Sequence, residues 1–190
     1  RVFGIKGGQV ALILDNQVQE EKGIYEDGQV YLPVNWVNEH LNERFYWDEG
    51  EKLLVYALPE SIVYADESTQ GEKGPLFKVT QEGMYLSLGV VVNYTDIRTQ
   101  AFATSQIKRV FIDTSWQPYD TAVLKKTGQI RVKGGVKSQI ITEAAAGETV
   151  DVLETMDKWS RVRTADGYIG YVENRKLEAG EQVAPVSTFE

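Results

Sequence analysis

The chain is punctuated into short β-branched and aromatic runs, each stopped by glycine, aspartate or asparagine, and this pattern narrows the fold more than any other feature. VALILD (residues 10–15), QVYL (29–32), KLLVYAL (52–58), RVFIDT (109–114), ETVDVLET (148–155) and SRVRTA (160–165) all have it. Such side chains suit a pleated, half-buried surface, so each run reads as a strand. Asp27-Gly28 and Asp166-Gly167 read as hairpin turns, because glycine takes a positive φ without a Cβ clash. Strand following strand through short turns predicts mainly antiparallel sheet.

One helical stripe interrupts the strands. Pro33 suits a first helical turn, and Val34, Val37 and Leu41 recur at the spacing of one buried face, predicting a helix that ends near Asn42. The surrounding stretch EDGQVYLPVNWVNEHL (26–41) has a counterpart in QEGMYLSLGVVVNYT (81–95), with Tyr31-Leu32 aligned on Tyr85-Leu86. Both stretches run on into a strand pair. The expected fold class is therefore mainly β (α+β), with a duplicated strand–helix–hairpin module in which each copy buries its apolar face against the other. The module covers residues 1–116, with repeats at about 8–58 and 76–114. PESIVYADESTQGEKGP (59–75) reads as the loop between copies, TSWQPYDT (114–121) as a junction, and residues 179–190 as a linker.

Charge and composition exclude several chemistries. The net charge is −8, and residues 1–70 carry 13 acidic against 5 basic side chains. No segment has the basic stripe that a phosphate backbone requires, so nucleic acid is not an expected partner. There is no cysteine, which removes disulfides, thiolate metal sites and thiol nucleophiles, and His40 is the sole histidine. No cofactor is expected. No apolar run reaches the ~18–20 residues that span a bilayer. The chain begins at Arg1, which reads as an excised or processed piece.

The C-terminal third is the most specific part. It offers IRVKGGVKS (130–138), AAGETVDVL (145–153) and KWSRVRTADGYIGYV (158–172) in that order. Gly147, Val150 and Val152 match a "G-x-x-V-x-V" strand, Trp159 and Val162 a "W-x-x-V" strand, and Asp166, Gly167, Gly170, Tyr171 and Val172 a closing "D-G-x-x-G-W-V". In this the segment resembles the bacterial Src homology 3-like (SH3-like) domain. The resemblance implies a small β-barrel over residues 122–178. The opening departs from the family's "N-V-R-S-G-P" pattern, since Arg131-Val132-Lys133-Gly134-Gly135 stands there.

The first module, through Tyr31, Leu32, Pro33, Val34, Trp47 and Asp48, is similar to the copper amine oxidase N-terminal-like domain, a name that implies no metal. The two likenesses together resemble the front of clostridial envelope proteins that carry a family 18 glycoside hydrolase domain. They imply a non-catalytic, cell-wall-targeting region of an exported Gram-positive protein. Its place would be extracellular, at the cell envelope or spore surface of a bacterium, with the catalytic domain lying downstream. The implied partners are peptidoglycan or a related cell-wall glycan, bound weakly, and that downstream domain.

Catalysis within this chain is not expected. Ser–His–Asp chemistry would rest on His40, a lone histidine on a helix. The family 18 "D-x-x-D-x-D-x-E" motif is absent, as are phosphate-loop and dinucleotide fingerprints. Candidate ligand-binding residues are Trp159, Arg161, Arg163, Tyr168 and Tyr171. Their aromatic rings offer rigid apolar area, and alternation with Val162 turns both arginines outward, toward a peptide carboxylate. The cluster nonetheless reads as core first, with Trp159 and Val172 filling the barrel while Tyr168 or Tyr171 flanks it, and as a ligand edge second. The alternative function is a structural spacer or protein–protein module without glycan affinity, using exposed strand edges.

Overall fold

A computed structural model of the chain describes residues 2–5, 7–71 and 74–190. The chain divides into two compact units, Arg1–Thr114 with Phe189–Glu190, and Ser115–Thr188.

In the first unit the strands of the main sheet are β1 (Gln9–Leu14), β2 (Gln17–Glu26), β3 (Gln29–Pro33), β9 (Phe77–Thr80), β10 (Gly83–Ser87), β11 (Arg98–Phe102) and β12 (Arg109–Asp113). They lie in the order β11-β12-β1-β2-β3-β10-β9, antiparallel except for the parallel pair β1–β12. That parallel pair explains two of the sequence's most apolar runs. Val10 to Ile13 and Val110 to Ile112 are all wholly buried, as a strand covered on both faces demands. The Asp27-Gly28 turn joins β2 to β3, with both residues at positive φ (50° and 80°), the geometry that matches strand twist.

The helices are α1 (Val34–His40) and α2 (Leu88–Tyr94), seven residues each. A second, three-stranded sheet comprises β4 (Phe45–Asp48), β5 (Leu53–Ala57) and β6 (Ile62–Ala65), and a two-stranded one β7 (Gln70–Gly71) and β8 (Gly74–Pro75). One core joins these parts: Val10, Leu12, Leu32, Leu86, Val110 and Ile112 from the main sheet meet Val34, Trp36, Val37 and Val91 from the helices and Phe45 and Leu54 from the small sheet.

The expected duplicated strand–helix–hairpin module is not the architecture. The chain is β-rich, with only two short α-helices among the described residues. The hairpins that follow those helices go to different places. β4–β5 joins β6 in the small sheet, whereas β11–β12 enters the main sheet and β12 pairs with β1. The helices also differ: α1 buries Val34, Trp36 and Val37, α2 only Val91. The physical reason lies in the strands, since RVFID is buried at every position while LLVYA is buried only at Leu54 and Val55. The stretch 59–75, expected as a loop, contains β6, β7 and β8.

The second unit contains β13 (Asp120–Leu124), β14 (Gly128–Arg131), β15 (Ile140–Ala144), β16 (Thr149–Thr155), β17 (Trp159–Arg163), β18 (Ile169–Glu173) and β19 (Leu177–Ala179). They form one antiparallel sheet in the order β15-β14-β18-β17-β16-β13-β19. Its core is Ala122, Leu124, Ile130, Ala144, Val150, Val162 and Val172. A single sheet reaches that burial by curling so that one face encloses these side chains. Beyond β19, expected as linker, the chain stays attached to β13 as far as Val183. Gly180 N–H donates to the Thr121 carbonyl, and Tyr119 and Val183 exchange two backbone hydrogen bonds of 2.9 Å.

Candidate functional site

The site is built by alternation on two neighbouring strands. In β17, WSRVR, Ser160 and Val162 are buried while Trp159, Arg161 and Arg163 are partly exposed. In β18, IGYVE, Gly170 and Val172 are buried while Ile169, Tyr171 and Glu173 are partly exposed. The register pairs Trp159 with Glu173, Arg161 with Tyr171 and Arg163 with Ile169. Directly paired residues share a face of a sheet, so these six side chains occupy the outer face in three cross-strand rows.

Two more strands lengthen the rows. β14 pairs Arg131 with Tyr171, so the middle row runs Arg131, Tyr171, Arg161 across three strands. β16 carries a bulge between Val152 and Glu154. One extra residue shifts the alternation, which brings Glu154 opposite Arg161 after Asp151 has come opposite Arg163. The middle row thus sets a phenol between two guanidinium-bearing residues, with a carboxylate at its end.

Gly170 allows this spacing. It lies inside β18, beyond the turn that Asp166-Gly167 makes. A Cβ there would stand 2.7 Å from both the Arg131 carbonyl oxygen and Ile130 Cγ2, so only glycine lets β14 approach β18 so closely.

Trp159 does not fill the core, in contrast to the scaffold reading, whereas Val172 does. The indole lies on the 132–139 loop instead. A Cβ on Gly134 would come within 3.1 Å of Trp159 Cγ, so the tryptophan sits close over that backbone. The loop holds itself in shape: Val132 N–H donates to the Gln139 carbonyl at 2.9 Å and Lys133 N–H to Ser138 Oγ at 2.9 Å. Arg131 Nη1 donates to the Ser138 carbonyl at 2.7 Å, and Lys133 and Lys137 stand exposed on the loop.

At the Trp159 end, Glu173 accepts a hydrogen bond from Arg175 Nε at 2.6 Å and has Lys176 Nζ at 3.8 Å. The Arg175 guanidinium holds its carboxyl below the usual carboxylate range, against a smaller opposing effect of burial, with the charges of Lys176 and Arg131 adding to the lowering. Lys176 itself is buried, its ammonium donating to Gln129 Oε1 at 2.7 Å.

Tyr168 is separate from the rows. It closes the turn between β17 and β18, where its N–H donates to Thr164 Oγ1 at 3.0 Å and Thr164 Oγ1 donates to Asp166 Oδ1 at 2.5 Å. Trp159 lies at the other end of β17, roughly 17 Å away at strand rise. Four of the five candidates from the sequence therefore share one face. Arg131 and Glu173 complete that face without having been singled out. The pairing of Arg131 with Tyr171 links residues forty positions apart, which local alternation does not report, whereas the position of Glu173 two residues beyond Tyr171 was a usable signal.

This arrangement suits a ligand that presents a carboxylate to guanidinium groups and a flat surface to an aromatic ring. It has no nucleophile beside a base, and among the described residues no three His, Cys, Asp or Glu side chains gather to hold a metal.

Residues 130–177 match the family model described as the bacterial dipeptidyl-peptidase Sh3 domain. The match begins inside β14 and ends at the start of β19, so it spans all three rows. It supports an SH3-like domain in the second unit. The copper amine oxidase N-terminal-like and family 18 likenesses are not shown by it. No curated protein matches the chain.

Proposed function

We propose that this chain is a non-catalytic positioning region of an exported bacterial envelope hydrolase, and that the outer face of its SH3-like domain contacts cell-wall peptide. The observation that carries the reading is the row Arg131–Tyr171–Arg161 on three adjacent strands. Two guanidiniums flanking a phenol favour the carboxylates of peptide stems over a bare neutral glycan. The matched family's name includes a dipeptidyl-peptidase, which accords with a ligand of peptide character. Contacts of this size bind weakly and act by tethering, raising the effective concentration of a linked enzyme near its substrate. The linked enzyme in this reading is a hydrolase, with a family 18 glycoside hydrolase as the specific expectation.

The test is co-sedimentation with insoluble peptidoglycan and with chitin. The chain should pellet with peptidoglycan, and folded Arg161→Ala and Tyr171→Ala should stay in the supernatant. Recovery of the wild-type chain entirely in the supernatant would reject the wall-contact reading.

A second reading, a spacer without wall affinity, draws on the same face. Arg131 already donates to Ser138, and Glu154 stands in register with Arg161, so part of the row is satisfied internally.

A further inference from the structure

The first unit has a cleft of about 400 Å³ that the wall-contact reading leaves unused. Its walls come from the β3–α1 junction, from Trp47 and Glu49 at the end of β4, and from the β9–β10 hairpin, including Val79, Glu82 and Met84. Among the described residues, two glutamates are its only charged lining residues.

Trp47 is fixed. Its indole ring lies 5.3 Å from Phe77, ring centre to ring centre, and its Nε1–H donates to Glu49 Oε2 at 2.7 Å. Glu49 is engaged a second time by the Lys52 ammonium, which with the indole N–H holds its carboxyl below the usual range. Glu49 is thus an occupied anion that orients the indole.

Glu82 differs. It sits in the two-residue loop between β9 and β10, where its backbone N–H donates to Thr80 Oγ1 at 3.2 Å and Thr80 Oγ1 donates to the Gly83 carbonyl at 3.1 Å. Its position is set by the hairpin, and its carboxylate has no ion pair among the described residues. The cleft therefore combines an immobilised indole, apolar wall from Val79 and Met84, and an uncompensated carboxylate at the rim.

The geometry points to a binding site for an organic cation, an ammonium or guanidinium group on an apolar arm such as a lysine or arginine side chain or a free alkylamine. The arm lies along Val79 and Met84, and the cation reaches Trp47 and Glu82. Indole is the best aromatic partner for a cation, and a carboxylate beside it makes the pairing selective for positive charge. This site is separate from the Arg131–Tyr171–Arg161 row and does not depend on it.

The test is a titration of the isotopically labelled full chain followed by amide and indole NMR shifts. The probes are Nα-acetyl-lysine methylamide and n-pentylammonium, with Nα-acetyl-norleucine methylamide and N-acetylglucosamine as neutral comparisons. Both cations should saturate shifts at the Trp47 indole N–H and at the amides of residues 81–83. Binding only of the lysine derivative would assign a peptide source, and equal binding of both a free-amine chemistry. Glu82→Gln, at an exposed position, should weaken cation binding by about tenfold without moving the melting temperature. Trp47→Phe should weaken it while remaining folded by circular dichroism. No saturation by about 50 mM cation, equal binding of the norleucine amide, preferred binding of N-acetylglucosamine, or undiminished affinity in Glu82→Gln would each overturn the assignment.

Discussion

At the scale of the residue, single atoms decide whether the outer face exists. Gly170→Ala would push a methyl group to 2.7 Å from a backbone oxygen, and backbone cannot yield as a side chain can. It should lower unfolding free energy by about 2–3 kcal/mol. Gly135→Ala, where a Cβ meets nothing within 4 Å, should be nearly neutral, and urea denaturation of the pair checks both. Glu173 gives a pH signature. Its carboxyl is held low chiefly by Arg175, so its stabilising effect is full above the ordinary carboxylate pKa and fades as pH falls through the lowered folded value. The ion pair is partly solvated, so Glu173→Gln should cost about 0.5 kcal/mol at pH 7, a cost that fades as pH falls through the lowered carboxyl pKa. Urea midpoints across that range test the sign. At this scale the sequence was legible where alternation is local: WSRVR correctly turned both arginines away from Val162. It was not legible where contacts are long-range. Nothing near Trp159 announced that its indole would rest on Gly134, and an aromatic beside a strand reads equally well as core.

At the scale of the element, strand identity was easier to read than strand destination. VALIL, QVYL, LLVYA and RVFID all form strands. Sequence similarity between the two strand–helix stretches suggested a duplication, but pairing partners are set by burial on the second face. RVFID is buried throughout because the Arg109 guanidinium is accommodated, donating to Ser105 Oγ and the Ile107 carbonyl and lying 4.5 Å from the Phe102 ring centre. Charged ends disguised a strand that is covered on both faces. β6 was missed for the opposite reason, since IVYA is short, largely exposed and embedded among polar residues. The doubly covered pair β1–β12 should dominate the stability of the first unit. Leu12→Ala, at a wholly buried position, is expected to cost about 3–4 kcal/mol, measured as a shift in urea midpoint.

At the scale of the whole molecule, the two units differ in how much of them the sequence disclosed. The second was legible because several short motifs occur in a fixed order, and the family match over residues 130–177 rests on the same stretch. The first depended on the topology of a seven-stranded sheet, which no motif encodes. The proposed wall contact falls on the second unit. The outer face of the second unit is assembled from β14, β16, β17 and β18, and the proposed contact with peptide stems falls on its middle row. The most direct measurement is an amide NMR titration of the full chain with a soluble peptidoglycan fragment bearing its peptide stem. Contact through that row predicts saturable shifts at Arg131, Arg161 and Tyr171, smaller ones at Tyr168, and their loss when the stem carboxylates are amidated. Shifts absent from that row, or unchanged by amidation, would contradict it.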